Sequence, residues 1–288
     1  MAKSIAILIP YFGRWPLWIN FFIESCRWNR SIDWILFHDG PPPQNRCGNV
    51  RHIEMSFEAY KVLVSSALGI PFDPVQPYKL CDIKPALPHI HRELVAGYDF
   101  VGFGDLDVVY GDIRRFYDDE LLGRYDLLSS HSDRISGHFC LMRNCDDLVS
   151  AFERVPRWKE AFLAQEHLGF DEGAFSRLFV RPKRRLFAAQ LKSVRCFFHE
   201  AYSTPGVTDR MRWYWKNGTL GNEFYPDQPF MYLHFMSWHS NRWLDFQSGA
   251  RPGTKAPWTL NPDVVRTDWR KARNDGFMIS PQGVGPIE

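Results

Sequence analysis

The chain has 288 residues, 45% of them hydrophobic and 24% charged, enough to bury a full core as one large domain or one domain with an appendage. Its 35 Lys and Arg against 33 Asp and Glu leave a formal charge of +2, no broad field for nucleic acid, which argues against a polyanion-binding role. No stretch approaches a membrane span and the N-terminal apolar run is too short for a signal peptide, so cytoplasmic residence is the expectation. Cys26, Cys47, Cys81, Cys140, Cys145 and Cys196 show no Cys-X-X-Cys pair and read as reduced, buried small hydrophobes.

In chain order, the aliphatic run Ile5 to Ile9 predicts a strand buried on both faces, broken by Pro10-Tyr11-Phe12-Gly13. A helix is expected from near Pro16, with Leu17, Trp18, Phe21 and Phe22 on one face. Trp34 to Asp39 predicts a second strand, stopped by Gly40-Pro41-Pro42-Pro43, and completes a β-α-β unit. A strand over Val50 to Met55, a helix over Ser56 to Leu68 and another over Pro85 to Ala96 lead into a strand ending at Asp105. That order predicts a doubly wound α/β layer sandwich. Further strands are expected over Tyr125 to Ser130 and His138 to Arg143, and helices over Cys145 to Arg154, Pro156 to His167 and Asp171 to Leu178. From about Gly249, Pro, Gly, Thr and Asn dominate and predict a loop-rich tail.

The run Phe100 to Val109 carries Asp105 and Asp107, one residue apart, at the end of an apolar strand. Carboxylates at the carboxyl end of a strand in an open α/β sheet stand where ligands bind, and two side by side repel unless a cation lies between them. Hard oxygen ligands with open positions suit Mg²⁺ or Mn²⁺, whose shells are completed by water and substrate phosphates, so the expected ligand is a diphosphate. The aromatic content of 16% fits either a large aromatic core or clefts that stack sugar rings.

The segments 7–13, 35–40, 78–86 and 102–113 together resemble a bacterial group of glycosyltransferases and uncharacterised relatives with the GT-A fold. The likeness runs over roughly residues 4 to 240 and is most specific from Lys79 to Ile113. It implies a GT-A (Rossmann-like) α/β/α sandwich with a mostly parallel mixed central sheet. The division implied is a transferase domain over 1–248, a nucleotide-binding half at 1–115 and an acceptor half at 116–248, then the tail 249–288. The resemblance also implies a nucleotide-sugar donor, with a UDP-sugar expected first, and Mn²⁺ or Mg²⁺. A saccharide or lipid-linked saccharide acceptor and a role in surface-polysaccharide synthesis follow from the same likeness.

Several residues take roles in that picture. Pro10, Tyr11 and Phe12 stand where base and ribose would lie, with Tyr11 or Phe12 either stacking on the base or capping the core. Asp39 either accepts a hydrogen bond from base or ribose or starts the Gly-Pro turn. Lys84, before Pro85, is a candidate phosphate partner, with Lys79 second and Asp82 either orienting Lys84 or capping a helix. The resemblance makes Asp107 the direct metal ligand and Asp105 a ribose or water-mediated one. Of the two histidines in Tyr232 to His239 it favours His234 as third ligand, tilting selectivity towards Mn²⁺. The Lys-Pro-Trp found late in some sugar transferases is absent.

In an inverting transfer a carboxylate takes the acceptor's proton, and Asp171, then Glu172, are the candidates; capping a helix is their rival role. The polar loop Ser129 to His138 is a candidate lining for donor sugar or acceptor, and Asp112 reads as a turn or cap residue. The basic run 181–185 is either a solvated face or an attraction for anionic headgroups at the inner face of the membrane. Two other classes stay open: a noncatalytic carbohydrate-binding or assembly protein, and a metal-dependent nucleotidyltransferase or phosphodiesterase.

Overall fold

β1 (Ile5–Pro10) and β2 (Ile32–His38) are nearly continuous apolar runs because both faces of the sheet they form are covered. A computed structural model describes residues 2–180, 193–200, 202, 212–236, 238, 258 and 262–287. With β3 (Val50–Glu54), β4 (Phe100–Gly104), β6 (Leu127–Ser129), β7 (Phe139–Arg143) and β8 (Cys196–Phe198), these strands make one sheet of order β3-β2-β1-β4-β7-β6-β8. Only β7 runs antiparallel to its neighbours, β4 and β6. The architecture is thus mixed α/β with a mostly parallel central sheet, as expected.

Alternation along the strands divides the core. Ala6, Leu8, Phe37, Val101 and Phe103 pack on one face, with α2 (Phe57–Leu68) and the helical turns between Lys84 and Val95. Ile5, Ile7, Trp34, Leu36 and Leu141 pack on the other, with α1 (Ile19–Arg27) and Tyr110 of β5 (Val108–Tyr110). Gly102 is required here: a Cβ on it would lie 2.3 Å from the carbonyl oxygen of Cys140 on β7. Its role is close strand approach.

Helix α2 is capped at both ends, by the Ser56 hydroxyl accepting from the Ala59 N–H at 3.1 Å and by Gly69 at φ +62°. The helix expected over Pro85 to Ala96 is instead three short turns, Lys84–Ala86, Leu87–Ile90 and Arg92–Val95. Pro88 supplies no N–H and its ring opposes continuation from the preceding turn. The segment expected as a helix over Asp171 to Leu178 begins with a π turn, Asp171–Phe175, in which the Phe175 N–H reaches the Phe170 carbonyl at 2.8 Å.

The end of the chain departs from the expected loop. β9 (Trp213–Lys216), β10 (Thr219–Asn222), β12 (Phe277–Ser280) and β13 (Gly283–Gly285) form a second sheet of order β10-β9-β12-β13, with a helix over Trp269–Asp275 against it. Asp268 caps that helix by accepting from the Arg270 N–H at 2.8 Å, and Phe277 stacks on Trp215 with ring centres 5.1 Å apart. Pro, Gly and Asn between such short elements dominated the composition and hid them. The turn joining β9 to β10 is Asn217-Gly218, both at positive φ, a hairpin signal that the sequence carries in plain view.

The aromatics are chiefly core: Trp34, Trp213, Trp215 and Trp238 are fully buried. All six cysteines are free, but only Cys26 and Cys140 are buried as expected; Cys47, Cys81 and Cys196 are half-buried and Cys145 is exposed. Among the described residues no helix is long and apolar enough to cross a membrane. The basic run 181–185 lies outside the described residues.

Candidate functional site

Asp105 follows the last residue of β4, and Asp107 precedes β5, so both carboxylates leave the carboxyl edge of the sheet. The Trp18 indole N–H donates to the Leu106 carbonyl at 2.9 Å and pins the residue between them. β5 pairs antiparallel with β11 (Tyr232–His234) in a register that sets His234 opposite Val108. The Phe235 N–H donates to the Asp107 carbonyl at 3.0 Å. That ribbon carries His234 across more than a hundred residues of sequence to the aspartates, its Nε2 3.5 Å from Asp107 Oδ2. One ligand atom from each of Asp105, Asp107 and His234 falls within 4.8 Å of the others. His239, the other histidine of that stretch, lies outside the described residues.

Lys84 reaches the same place from the other face. Its buried ammonium donates to Asp105 Oδ1 at 2.5 Å and to the Gly137 carbonyl at 2.9 Å. Burial opposes the Lys84 charge, but the Asp105 carboxylate, with Cys81 and Asp171 behind it, outweighs this and raises its pKa. Burial also raises the Asp105 carboxyl, Lys84 draws it back down, and the adjacent Asp107 pushes it up again. For His234 burial favours the neutral ring, yet Asp107 and Asp105 together lift its pKa above the ordinary value. Two carboxylates, an imidazole and an internal ammonium therefore share one edge.

Asp171 lies beside them and is only 4% exposed. Gly137 makes room for it: a Cβ there would stand 2.5 Å from Asp171 Oδ2. Burial pushes the Asp171 carboxyl up to about 7, Lys84 opposing and Glu172 and Asp105 adding to the rise. Among the described residues its Oδ1 accepts only the next residue's N–H, at 2.8 Å, so it does not cap a helix in the usual way. Glu172 accepts from the Gly137 N–H at 3.2 Å and pairs with Arg134 at 3.3 Å.

The sequence reading did not single out His138, which ends the polar loop just before β7. Its ring stacks on His234 at 3.8 Å between centres and its Nε2 lies 2.7 Å from the Tyr232 hydroxyl, which also contacts Ser130. Burial, with His234 and His131 beside it, lowers the His138 pKa well below the ordinary value, so it packs as a neutral ring against His234. His131, His138 and Glu172 also offer atoms within 4.8 Å of one another, but Arg134 already lies between Glu172 and His131.

Other sequence expectations need correction. Phe12 is 6% exposed and packs against Phe57 and Tyr60, so it belongs to the core and no base stacks on it. Tyr11, half-buried, stacks on Trp15 at 5.3 Å and donates to the Arg14 carbonyl; Pro10 ends β1 beside it. Asp39 accepts from the Gly13 N–H at 2.8 Å, tying the loop after β1 to the loop after β2. Asp112 is a cap, as expected, accepting from the Arg115 N–H at 3.2 Å. Lys79 is not a phosphate partner: its fully buried ammonium pairs with Asp82 and donates to the Ala161 and Glu166 carbonyls. Asp82 neither orients Lys84 nor caps a helix; it accepts from the Leu168 and Phe170 N–H groups, both at 2.9 Å. That pair holds the loop leading into Asp171.

An α/β sheet with carboxylates gathered at its carboxyl edge is the class of protein defined so far. Residues 7–251 match the model of a family of unknown function (DUF6625), and the chain belongs to that family. No curated protein matches it. Among solved structures it is similar to the galactosyltransferase LgtC bound to donor and acceptor sugar analogues, at 14% identity and a TM-score of 0.41, covering 88% of this chain and 97% of that one. It is also similar to the apo glycosyltransferase GlyE of Streptococcus pneumoniae TIGR4, at 11% identity and a TM-score of 0.46, covering 94% of this chain and 62% of that one. Likenesses at these scores leave the functional argument to the residues of the chain itself.

Proposed function

We propose that the protein is a metal-dependent glycosyltransferase that moves a sugar from a nucleotide-diphosphate donor, a UDP-sugar first among them, to a saccharide or lipid-linked saccharide in surface-polysaccharide synthesis. The observation that carries the reading is the convergence of Asp105, Asp107 and His234 within 4.8 Å, beside the buried Lys84 and Asp171. Two like charges held this close need a cation, and Lys84 alone answers to Asp105 and leaves Asp107 to His234. Two carboxylates and an imidazole with room for further ligands fit Mn²⁺ or Mg²⁺, held by Asp107 and His234 with Asp105 direct or through water. When bound, such an ion stabilises the negative charge that develops on the departing diphosphate.

The chain's own groups do the rest. Lys84 fixes Asp105 through its hydrogen bond and favours the ionised carboxylate against the effect of burial. Asp171 is the group we assign to take the acceptor hydroxyl's proton on its carboxylate, with Glu172 second. A carboxyl titrating near 7 is matched to that task, being strong enough as a base and still ionised in half the molecules at neutral pH. Tyr11 and Trp15 offer a half-buried stacked aromatic pair in the loop after β1, where the base is expected, and Asp39 holds that loop.

Titration calorimetry of the wild type and Asp107→Ala against a panel of nucleoside diphosphates, with Mn²⁺ and with chelator, tests this reading. The expected result is Mn²⁺-dependent binding of one nucleotide, weakened at least about a hundredfold in the variant. No binding of any nucleotide would remove the donor site and favour a noncatalytic carbohydrate-binding role.

A further inference from the structure

Away from the carboxylate edge, a groove of 470 Å³ opens between the C-terminal end of α1, the Asn217-Gly218 turn and the helix Trp269–Asp275. Helix α1 is nine residues long, about 13 Å, and it contributes Glu24 and Arg27 from its second half to the groove. Its walls carry Arg27, Trp28, Arg30, Arg273, Asn217 and Asn274.

The groove's charge is layered. Glu24 forms the floor, fully buried, and is neutralised by Arg27 at 3.2 Å, Arg273 at 3.2 Å and the Asn45 amide at 2.9 Å. Three guanidinium groups against one carboxylate leave the site cationic. Arg27 is further committed to the Asn45 and Arg46 oxygens. Arg30, exposed, has no side-chain hydrogen bond or ion pair among the described residues, so its fork is the one open to a ligand.

Beside it stands Trp28, 44% exposed although ten of the chain's Trp residues lie elsewhere and several of those are fully buried. Its ring is held in place, with Trp215 edge-on at 6.3 Å and Gly218 close enough that a Cβ there would sit 3.1 Å from the Trp28 Cβ and 3.3 Å from the ring's Cγ. The left-handed Asn217 and Gly218 make that contact possible, since the hairpin turn presses backbone rather than side chain against the indole. An exposed, fixed indole is an apolar plane, and 44% of this residue's surface is open to solvent. Apart from it the lining is polar, so there is no apolar pocket to anchor a peptide side chain.

We propose that this groove is a second saccharide-binding site, taking a sugar unit that carries a carboxylate. Trp28 stacks on the apolar face of the pyranose, the Arg30 guanidinium pairs with the carboxylate in its bidentate geometry, and Asn217 and Asn274 meet the hydroxyls. The volume accommodates roughly one or two rings, as befits an anchor for an extended acidic glycan rather than a reaction site. The proposal stands apart from the carboxylate edge and does not require the transferase reading.

The test is calorimetry of the full chain with trigalacturonate, maltotriose and triglutamate, on the wild type, Trp28→Ala, Arg30→Ala and Asp107→Ala. Trp28 and Arg30 are surface residues, and circular dichroism verifies that their variants fold. Trigalacturonate is expected to bind the wild type with Kd below about 1 mM and to weaken about tenfold in either groove variant, unchanged in Asp107→Ala. Maltotriose and triglutamate are expected to bind far more weakly, lacking the charge and the ring respectively. Three results overturn the proposal: no trigalacturonate binding up to about 10 mM, equal binding of maltotriose or triglutamate, or binding lost in Asp107→Ala and kept in Trp28→Ala.

Discussion

Two lysine–aspartate pairs lie close in sequence and do opposite things. Lys79 and Asp82 are both fully buried, and every polar atom is spoken for: the ammonium has Asp82 and two carbonyls, the carboxylate has two backbone N–H groups besides. Lys84 and Asp105 are less closed, with side chains 7% and 31% exposed, and Asp105 turns its remaining valence towards Asp107 and His234. A saturated pair is a strut; a pair with an oxygen left over at a sheet edge is a place where something binds. The number of satisfied bonds, rather than the residue types, separates structure from site.

The largest expected effect breaks the strut. Lys79→Met leaves Asp82 buried and uncompensated and should cost about 3–5 kcal/mol of stability, read as a lowered midpoint in urea unfolding. Because the same pair holds the loop before Asp171, a surviving fraction should also lose activity. A loss under about 1 kcal/mol would mean that the backbone contacts of Asp82 suffice without the ammonium.

Asp171 sharpens the contrast next, since it too is buried but unsaturated. Its folded-state pKa of about 7 lies well above the ordinary carboxylate value, so the folded protein binds this proton more tightly than the unfolded chain. The resulting stabilisation is fully present below about pH 4 and is lost as pH rises through about 7. Asp171→Asn should therefore be more stable than the wild type at pH 8 by about 2–4 kcal/mol, with the two converging at acid pH. The same titration gives turnover an acid limb near pH 7, and the variant should lose about a hundredfold or more in rate. An unfolding midpoint that falls at pH 8 in the variant would place an ionised, stabilising carboxylate there instead.

Much of this was readable from residues alone, and the boundary is instructive. The first three strands, the Ser56 cap and the Asp105-Leu106-Asp107 edge follow from local periodicity and turn chemistry, because each is decided within a few residues. Lys79 and Lys84 could not be told apart, since their partners at Ala161, Glu166 and Gly137 arrive from distant loops. His138 was invisible for the same reason: only the β5–β11 ribbon brings His234 to stack on it. Phe12 looked like a loop residue because the helix it packs on, α2, lies over forty residues further on. The Asn217-Gly218 turn, by contrast, is a local signal, but the strands that it joins are only four residues long and were not expected from the sequence.

The smallest expected effect concerns the open pair. If Lys84 is the internal cation that holds Asp105 until a metal arrives, then Lys84→Met removes a rival of the metal as well as a partner of the carboxylate. Asp105 and Asp107 then repel with only His234 beside them, and because Asp105 is partly exposed the loss should be about 1–2 kcal/mol, below that of the strut. Adding Mn²⁺ restores the missing charge, and a ligand that binds only the folded state raises its melting temperature. The Mn²⁺-induced rise in Tm should accordingly be larger in Lys84→Met than in the wild type, whereas Lys79→Met, whose cation serves no open oxygen, should show no such gain. A smaller Mn²⁺ shift in Lys84→Met would mean that the ammonium aligns Asp105 for the ion instead of competing with it. The two lysines would then differ in geometry alone and not in whether their aspartates are free to accept a second cation.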